Sequence, residues 1–139
     1  MARITKAEYE NLAAFRYSLR KFLHFSEEAA QSAGLTPQQH QALLSIKGFP
    51  GRDRITVKEL AEQMQIRHHS AVGLVDRLVA QDLISREHSQ ADRREVNLMV
   101  TGKGLAILEQ LSSIHKEELR RMLPELQKLI EQISTEKLG

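Results

Sequence analysis

Apolar residues recur at steps of three and four in both outer parts of the chain, a spacing typical of amphipathic helices. The first pattern predicts one long helix from about Thr5 to Ser32. The positions that recur in it are Leu12, Phe15, Leu19, Phe22, Leu23 and Ser26. Thr101 can cap a second long helix that runs to about Leu123. Pro124 is expected to break or kink it, so that a separate last helix carries Leu126 to Ile133.

Two further helices begin in the middle third of the chain with recognisable capping residues. Thr36 followed by Pro37 is an N-cap followed by the residue favoured at the first helical position. Thr56 and Glu59 form a capping box in front of the next helix. The short segment 54–56 just before it is a candidate strand stub.

The rest of the middle third predicts a helix-turn-helix and a hairpin. The helix that starts after the capping box is interrupted at residues 65–67, and a new helical pattern runs from His68 to about Ala80. Two short helices joined by a tight turn are typical of a helix-turn-helix. Residues 83–87 then favour a strand, residues 88–94 are polar and turn-like, and 96–100 alternate like a half-buried strand.

These elements predict a mainly α protein with a small β-hairpin wing, that is, a winged helix-turn-helix with long terminal dimerisation helices. Residues 36–101 form the expected DNA-binding lobe, and 1–35 with 102–139 form the expected helical dimerisation region. Long amphipathic helices outside a compact lobe leave apolar stripes that need a cover. A second copy would supply it and would relate two lobes by a two-fold axis.

Composition narrows the function classes. The 139 residues contain no cysteine, which excludes disulfides and thiolate metal sites. Aromatic residues make up 4% and tryptophan is absent, which disfavours stacking platforms for RNA or single strands. The net charge is only +2, so DNA binding requires basic residues gathered on one face. No apolar run spans a bilayer and Met1 to Lys6 lack a signal core, so we expect a cytoplasmic protein.

Reading duplex DNA needs an element that fits the major groove and cations that neutralise phosphate. The first positions of the helix from His68 are polar, and in a helix-turn-helix these positions reach base edges. The hairpin tip offers arginines suited to the narrow minor groove, although a merely solvated tip would look the same. The candidate DNA-binding residues are Thr36, Arg67, His68, His69, Ser70, Arg77, Arg86, Asp92, Arg93 and Arg94. Asp92 is expected to orient a guanidinium through a bidentate pair or to form the turn, and the two roles can coexist.

Other chemistry has less support. His68 and His69 are adjacent on a helix and point apart, which does not suit a chelate. His24, His40 and His115 could converge on zinc, but no HxxxH pair is present, so satisfied or solvent-facing imidazoles are favoured. No phosphate loop or nucleophile motif indicates an enzyme, and no cofactor is expected. Aromatic residues at helical spacing are more often core or interface than pocket lining. The candidate effector-binding residues are Phe15, Arg16, Tyr17 and His24.

The segment from Asp92 to Thr101, followed by Gly104, resembles the signature of the MarR family of winged helix-turn-helix regulators. The segments 60–62 and 74–78 are similar to the helix-turn-helix of the same family. The resemblance implies a homodimer with interleaved outer helices on a palindromic site. It implies that Arg94 enters the minor groove beside Asp92, and that a small aromatic or phenolic effector binds between the dimer helices and the lobe.

Three positions depart from the family pattern. Gln65 stands where the turn usually has glycine, and because a left-handed residue would be strained there, the turn geometry could differ. Arg67 replaces the usual serine before the recognition helix, and Gly73 stands where arginine is frequent. These departures bear on the preferred bases more than on the fold.

The leading hypothesis is therefore a sequence-specific double-stranded DNA-binding regulator, a ligand-responsive repressor acting as a homodimer. The alternative is a winged-helix protein-interaction module without specific DNA binding, because a fold does not fix a function. A basic face shared by the recognition helix and the wing would distinguish the first hypothesis from the second.

Overall fold

The computed structural model describes residues 3–92 and 94–136. This part of the chain is mainly helical and carries a small antiparallel sheet, which confirms the predicted fold class. Its elements are α1 (Lys6–Ser32), α2 (Pro37–Lys47), β1 (Ile55–Thr56), α3 (Val57–Met64), α4 (His68–Ala80), β2 (Ile84–His88), β3 (Val96–Val100) and α5 (Gly102–Ser134). The chain divides into two compact units, one from residues 1–29 and 113–139 and the other from residues 30–112.

The second unit is built around the sheet and α2 to α4. The strand order is β1-β3-β2, with both pairings antiparallel, and Leu98 of β3 lies opposite Ile55 on one side and Arg86 on the other. The fully buried core of this unit includes Leu43, Ile46, Ile55, Leu60, Leu74, Leu78, Ile84 and Leu98. The stub β1 thereby ties the helix-turn-helix to the hairpin.

Both predicted helix starts in this unit are confirmed. Thr56 Oγ1 accepts the N–H of Glu59 at 3.1 Å, and the Glu59 carboxylate accepts the N–H of Thr56 at 2.9 Å. Thr36 caps α2 in the same reciprocal way with Gln39. Each box satisfies two backbone donors that a helix start otherwise leaves without an intrahelical partner.

Within the first unit, α1 and α5 meet through a polar pair set among aromatic rings. His115 Nε2 lies 2.8 Å from Ser26 Oγ, and the His115 ring makes edge contacts with Phe22 and Phe25 at centroid distances of 5.9 and 5.4 Å. Ser18 and Ser26 are buried. The buried face of α1 is thus narrow and partly polar.

The recurring apolar positions of α1 are not all buried within the chain. Leu12, Leu19 and Leu23 are 50%, 42% and 57% exposed, whereas Phe15 and Phe22 are half-buried. At 3.6 residues per turn, the three leucines lie about 60° around the helix from the phenylalanines. The apolar residues of α1 therefore form two adjacent stripes, of which one is buried within the chain.

The predicted break at Pro124 and the separate last helix are wrong, because one helix, α5, continues through the proline. The residues that α5 buries keep the same register on both sides of the proline, and Pro124 itself is exposed. The less exposed residues around it are Met122, Leu126, Leu129 and Ile133. The helix tolerates the one backbone hydrogen bond that the proline lacks, because packed residues lie on both sides of it.

Candidate nucleic-acid interface

The turn of the helix-turn-helix is made by Gln65, which adopts the left-handed conformation at φ 55° and ψ 44°. Its backbone N–H bonds back to the carbonyls of Ala61 and Glu62, and its side-chain Nε2 donates to the Glu62 carbonyl at 2.8 Å. The turn therefore takes the shape expected with glycine, and the anticipated change of geometry is not observed. The side-chain hydrogen bond offsets part of the left-handed strain.

The recognition helix α4 begins without a side-chain cap. Arg67 is the N-cap residue in extended conformation, and its side chain makes no capping hydrogen bond. A serine there would occupy one of the first free amides of the helix. With Arg67 instead, the first turn presents backbone donors and a positive dipole end, and Arg67 to Ser70 are all exposed.

Helix α4 has one face buried in the core and one face exposed to solvent. Ala71, Leu74, Val75 and Leu78 are buried in the core of the lobe. Arg77 is exposed, and a Cβ built on Gly73 would lie 3.6 Å from its Nη1. The arginine side chain thus lies over the gap that the glycine leaves, which gives this face a cation despite the missing arginine at position 73.

The hairpin tip is organised by Ser89 and Asp92. Ser89 Oγ accepts the N–H groups of Ala91 and Asp92 at 3.2 and 3.4 Å. Asp92 Oδ1 accepts the N–H of Arg94 at 3.0 Å and lies 3.6 Å from Arg94 Nε. Asp92 thus has the predicted turn-forming role, and its contact with the Arg94 guanidinium is single, not the predicted bidentate pair. The Arg94 side chain is 94% exposed, and Arg93 lies outside the described residues.

An open cleft of about 410 Å³ separates α4 from the hairpin. Three of the predicted residues line it together, namely His68, Arg86 and Arg94. Thr56 and Lys58 line it from the start of α3, and Glu95 is its acidic residue. Lys58 was missed in the sequence, although its place two residues after the capping threonine, on the first helix of the helix-turn-helix, was a usable signal.

Arg86 does not point freely into solvent. Its Nη1 lies 2.9 Å from Asp76 Oδ1 on α4, so the pair joins the hairpin to the recognition helix. Thr36 lines no part of the cleft, and its hydroxyl accepts the Gln39 N–H in the cap of α2. The predicted DNA-contacting roles of Thr36 and Arg86 remain predictions.

The loop before β1 is fastened to the start of α3. The Arg52 guanidinium pairs with the Glu59 carboxylate and stacks over the Phe49 ring at 4.5 Å. The hydrogen bond from Arg52 is the main cause that lowers the pKa of Glu59 below its ordinary value of 4.5, against a smaller opposing effect of burial. Glu59 thus serves the capping box and the loop at once.

Only two of the four predicted effector-binding residues line a common groove. Tyr17 and His24 lie on one exposed face of α1 and line a shallow groove with Arg20 and Lys21, whereas Phe15 and Arg16 do not line it. Lys21 Nζ lies 5.2 Å from the Tyr17 ring centroid. Effector binding there remains a prediction.

Over residues 3–92 and 94–136, no three histidine, cysteine or acidic side chains are grouped so as to hold a metal ion. In the same part of the chain, no helix combines the length and apolar character needed to cross a membrane.

Comparison with known proteins matches this architecture. The family model of the MarR family matches residues 33–95. The HTH-type transcriptional repressor MdtR of Bacillus subtilis (strain 168) is 31% identical over 96 residues, which are 69% of this chain. The chain spans 60% and 62% of the lengths of the two curated relatives it matches.

Solved structures establish the fold over nearly the whole chain. AbsC, a MarR family transcriptional regulator from Streptomyces coelicolor, superposes with a TM-score of 0.73 at 23% identity, covering 96% of both chains. A MepR variant from S. aureus bound to an oligodeoxyribonucleotide superposes with a TM-score of 0.68 at 20% identity, covering 95% of this chain and 92% of MepR.

The capped helix-turn-helix and the basic hairpin define a winged helix-turn-helix protein. Within that class, residues 33–95 match the MarR family, in agreement with the resemblance of the wing segment.

Proposed function

We propose that the protein is a sequence-specific double-stranded DNA-binding transcriptional repressor. In this proposal the exposed first turn of α4 enters the major groove, and Arg94 at the hairpin tip enters the adjacent minor groove. The observation that carries it is the common cleft, because His68 of α4 and Arg86 and Arg94 of the hairpin line the same opening.

The charge arrangement favours DNA over a protein partner. Lys58 at the start of α3 and Arg94 at the hairpin tip line one cleft together with His68 of the recognition helix. An evenly spread basic surface would have favoured the alternative of a protein-interaction module. Cations of the helix-turn-helix and of the wing that gather around one cleft suit the neutralisation of DNA phosphates.

The proposed DNA-binding species is a homodimer. The first unit exposes large apolar side chains that a second copy would cover. Apart from Tyr17 and Leu23, which line the groove on α1, these are Ile4, Tyr9, Leu12, Leu19, Ile114, Leu119, Leu123 and Ile130. A two-fold dimer reads a palindromic operator whose half-sites lie about one helical turn, or a multiple of it, apart.

We extend the proposal to release by a small aromatic or phenolic effector. The groove beside Tyr17 and His24 supports this, since an aromatic ring and two cations, Arg20 and Lys21, against one carboxylate, Glu27, suit a phenolate or aryl carboxylate. The proposed mechanism uses no cofactor and no enzymatic step. Since the proposed target is promoter DNA, we place the protein in the cytoplasm.

The test is equilibrium binding of the purified protein to its own promoter region and to a shuffled duplex across a salt series. We expect tight promoter binding that weakens linearly on a logarithmic salt axis, because phosphate contacts release counterions. Equal affinity for both duplexes at every salt concentration would contradict sequence-specific recognition. Sequencing the DNA bound from a genomic library would then define the operator and the neighbouring genes.

A further inference from the structure

The ion pair between Arg86 and Asp76 bridges the two DNA-reading parts of the lobe. Arg86 lies in the middle of β2, and Asp76 lies in the third turn of α4, with Nη1 and Oδ1 2.9 Å apart. Both side chains are about half exposed, at 44% and 56%. The open cleft beside the pair is also lined by Arg86, so apolar packing does not fill the space between hairpin and helix at this level.

We propose that Arg86 and Asp76 are positioning residues that fix the hairpin relative to α4. They thereby set the spacing between the major-groove contacts of α4 and the minor-groove contact of Arg94. The inference rests on the proposed DNA-binding function and names the residue pair that sets the geometry of the DNA-binding surface. In this view Arg86 acts through the pair with Asp76 instead of acting as a phosphate contact.

The strand that pairs with β2 is held by the core. Arg86 is in register with Leu98 of β3, which is fully buried, so β3 anchors this point of the hairpin. Beyond it, Glu87 and His88 are exposed and lead to the tip that carries Arg94. A change of angle at Arg86 therefore displaces the tip, because β2 extends beyond Arg86 to His88 at about 3.3 Å per residue.

Asp76 places a carboxylate on the recognition helix α4. A carboxylate on a DNA-facing helix repels phosphate unless a cation neutralises it. A positioning role supplies the reason for keeping it, since Asp76 gives Arg86 a fixed partner on the helix. If Arg86 were only a phosphate contact, Asp76 would compete with the DNA for its guanidinium.

The two roles predict opposite effects for Asp76→Ala. This substitution removes a negative charge, so electrostatics alone predicts tighter binding to every duplex. The positioning role predicts weaker binding to the operator, by roughly 2- to 5-fold for each half-site from the size of an exposed ion pair, and no loss on a shuffled duplex. An operator with two half-sites multiplies the loss to roughly 4- to 25-fold.

The experiment is a charge-exchange cycle in the full chain with Asp76→Arg, Arg86→Asp and the double variant, measured by fluorescence anisotropy on operator and shuffled duplexes. We expect both single variants to lose discrimination between the duplexes, and the double variant to recover operator affinity to within about twofold of wild type. Thermal unfolding of each variant checks that the lobe remains folded.

Three outcomes would overturn the proposal. The first is Asp76→Ala binding the operator as tightly as wild type or more tightly. The second is a double variant no better than its worse parent. The third is an Arg86→Ala loss that is equal on both duplexes with a reduced salt slope, which is the signature of a phosphate contact. Failure of the proposed function is separate, because wild type would then not discriminate the duplexes at all.

Discussion

Asp92 and Arg94 are joined twice, by the backbone N–H of Arg94 at 3.0 Å from Asp92 Oδ1 and by the Arg94 Nε at 3.6 Å from the same oxygen. One carboxylate oxygen therefore shapes the turn and also lies beside the guanidinium, whose side chain extends into solvent. This arrangement presents an arginine on a short, bonded loop, which reduces the entropy lost when the side chain enters a groove.

Arg94→Ala should weaken operator binding while leaving the oligomeric state unchanged. The loss should be about tenfold or more for each half-site, from the magnitude typical of a groove contact. Titration with operator DNA and sizing by light scattering measure the two properties. Arg16→Ala is the matched control, since Arg16 is an exposed arginine on α1. Unchanged affinity in Arg94→Ala would remove the wing from the mechanism.

The proposed dimer predicts different outcomes for two equally exposed leucines. Leu119 of α5 and Leu44 of α2 are each 44% exposed, but only Leu119 belongs to the helical unit. Leu119→Glu should weaken the dimer because it places a charge in the proposed apolar interface. Leu44→Glu should leave the dimer intact. Sedimentation at several protein concentrations distinguishes them, and a dimer unaffected by Leu119→Glu would exclude this surface.

Gly104→Ala should strongly destabilise the lobe. A Cβ there would lie 2.2 Å from the Leu83 carbonyl oxygen, and that oxygen already accepts the Thr101 N–H. Overpacking against backbone costs roughly 1–3 kcal/mol or more in unfolding free energy. Gly102→Ala is the control, since a Cβ at that position meets nothing within 4 Å. Chemical denaturation of both variants gives the comparison, and equal stability would refute the close approach.

Glu59 provides a pH-dependent prediction. Its pKa in the folded protein is below 4.5, so its ionised form contributes stability that is fully present above about pH 4.5 and is lost as the pH falls through the lowered value. Glu59→Gln keeps a capping-box side chain but loses the charge that pairs with Arg52. The difference in unfolding free energy between wild type and Glu59→Gln should therefore be larger at pH 7 than at pH 3.

Glu62→Gln is the control for that series, because Glu62 is an exposed carboxylate near the other end of α3. Denaturant titrations between pH 7 and pH 3 supply the free energies. A difference for Glu59→Gln that stays constant over the whole range would contradict the pairing of its charge with Arg52.

The lobe was largely predictable from the sequence because its signals are local. The threonine caps at Thr36 and Thr56 and the alternation along 96–100 each define an element within a few residues. The sequence did not show which apolar residues of α1 are buried, because tertiary packing determines this. Leu19 and Phe22 have the same hydrophobic spacing, and only the fold decides which stripe is buried within the chain.

The interface was predicted less completely. The pairing of Asp76 with Arg86 joins two elements through a contact that no spacing rule encodes. Pro124 carries a strong local signal for a break, but the register of the packed residues on both sides outweighed it. Gln65 likewise adopts a conformation that its residue type disfavours, since the bonds of the turn hold it there.

The uncapped start of α4 has a consequence for the free protein. A side-chain cap is worth about 1 kcal/mol, so a helix that starts at Arg67 without one is more prone to fray in its first turn. In the proposed complex a DNA phosphate takes the place of the missing cap. Amide hydrogen exchange at His69 and Ser70 should therefore slow on operator binding. The operator itself would then complete the ordering of the first turn of the recognition helix.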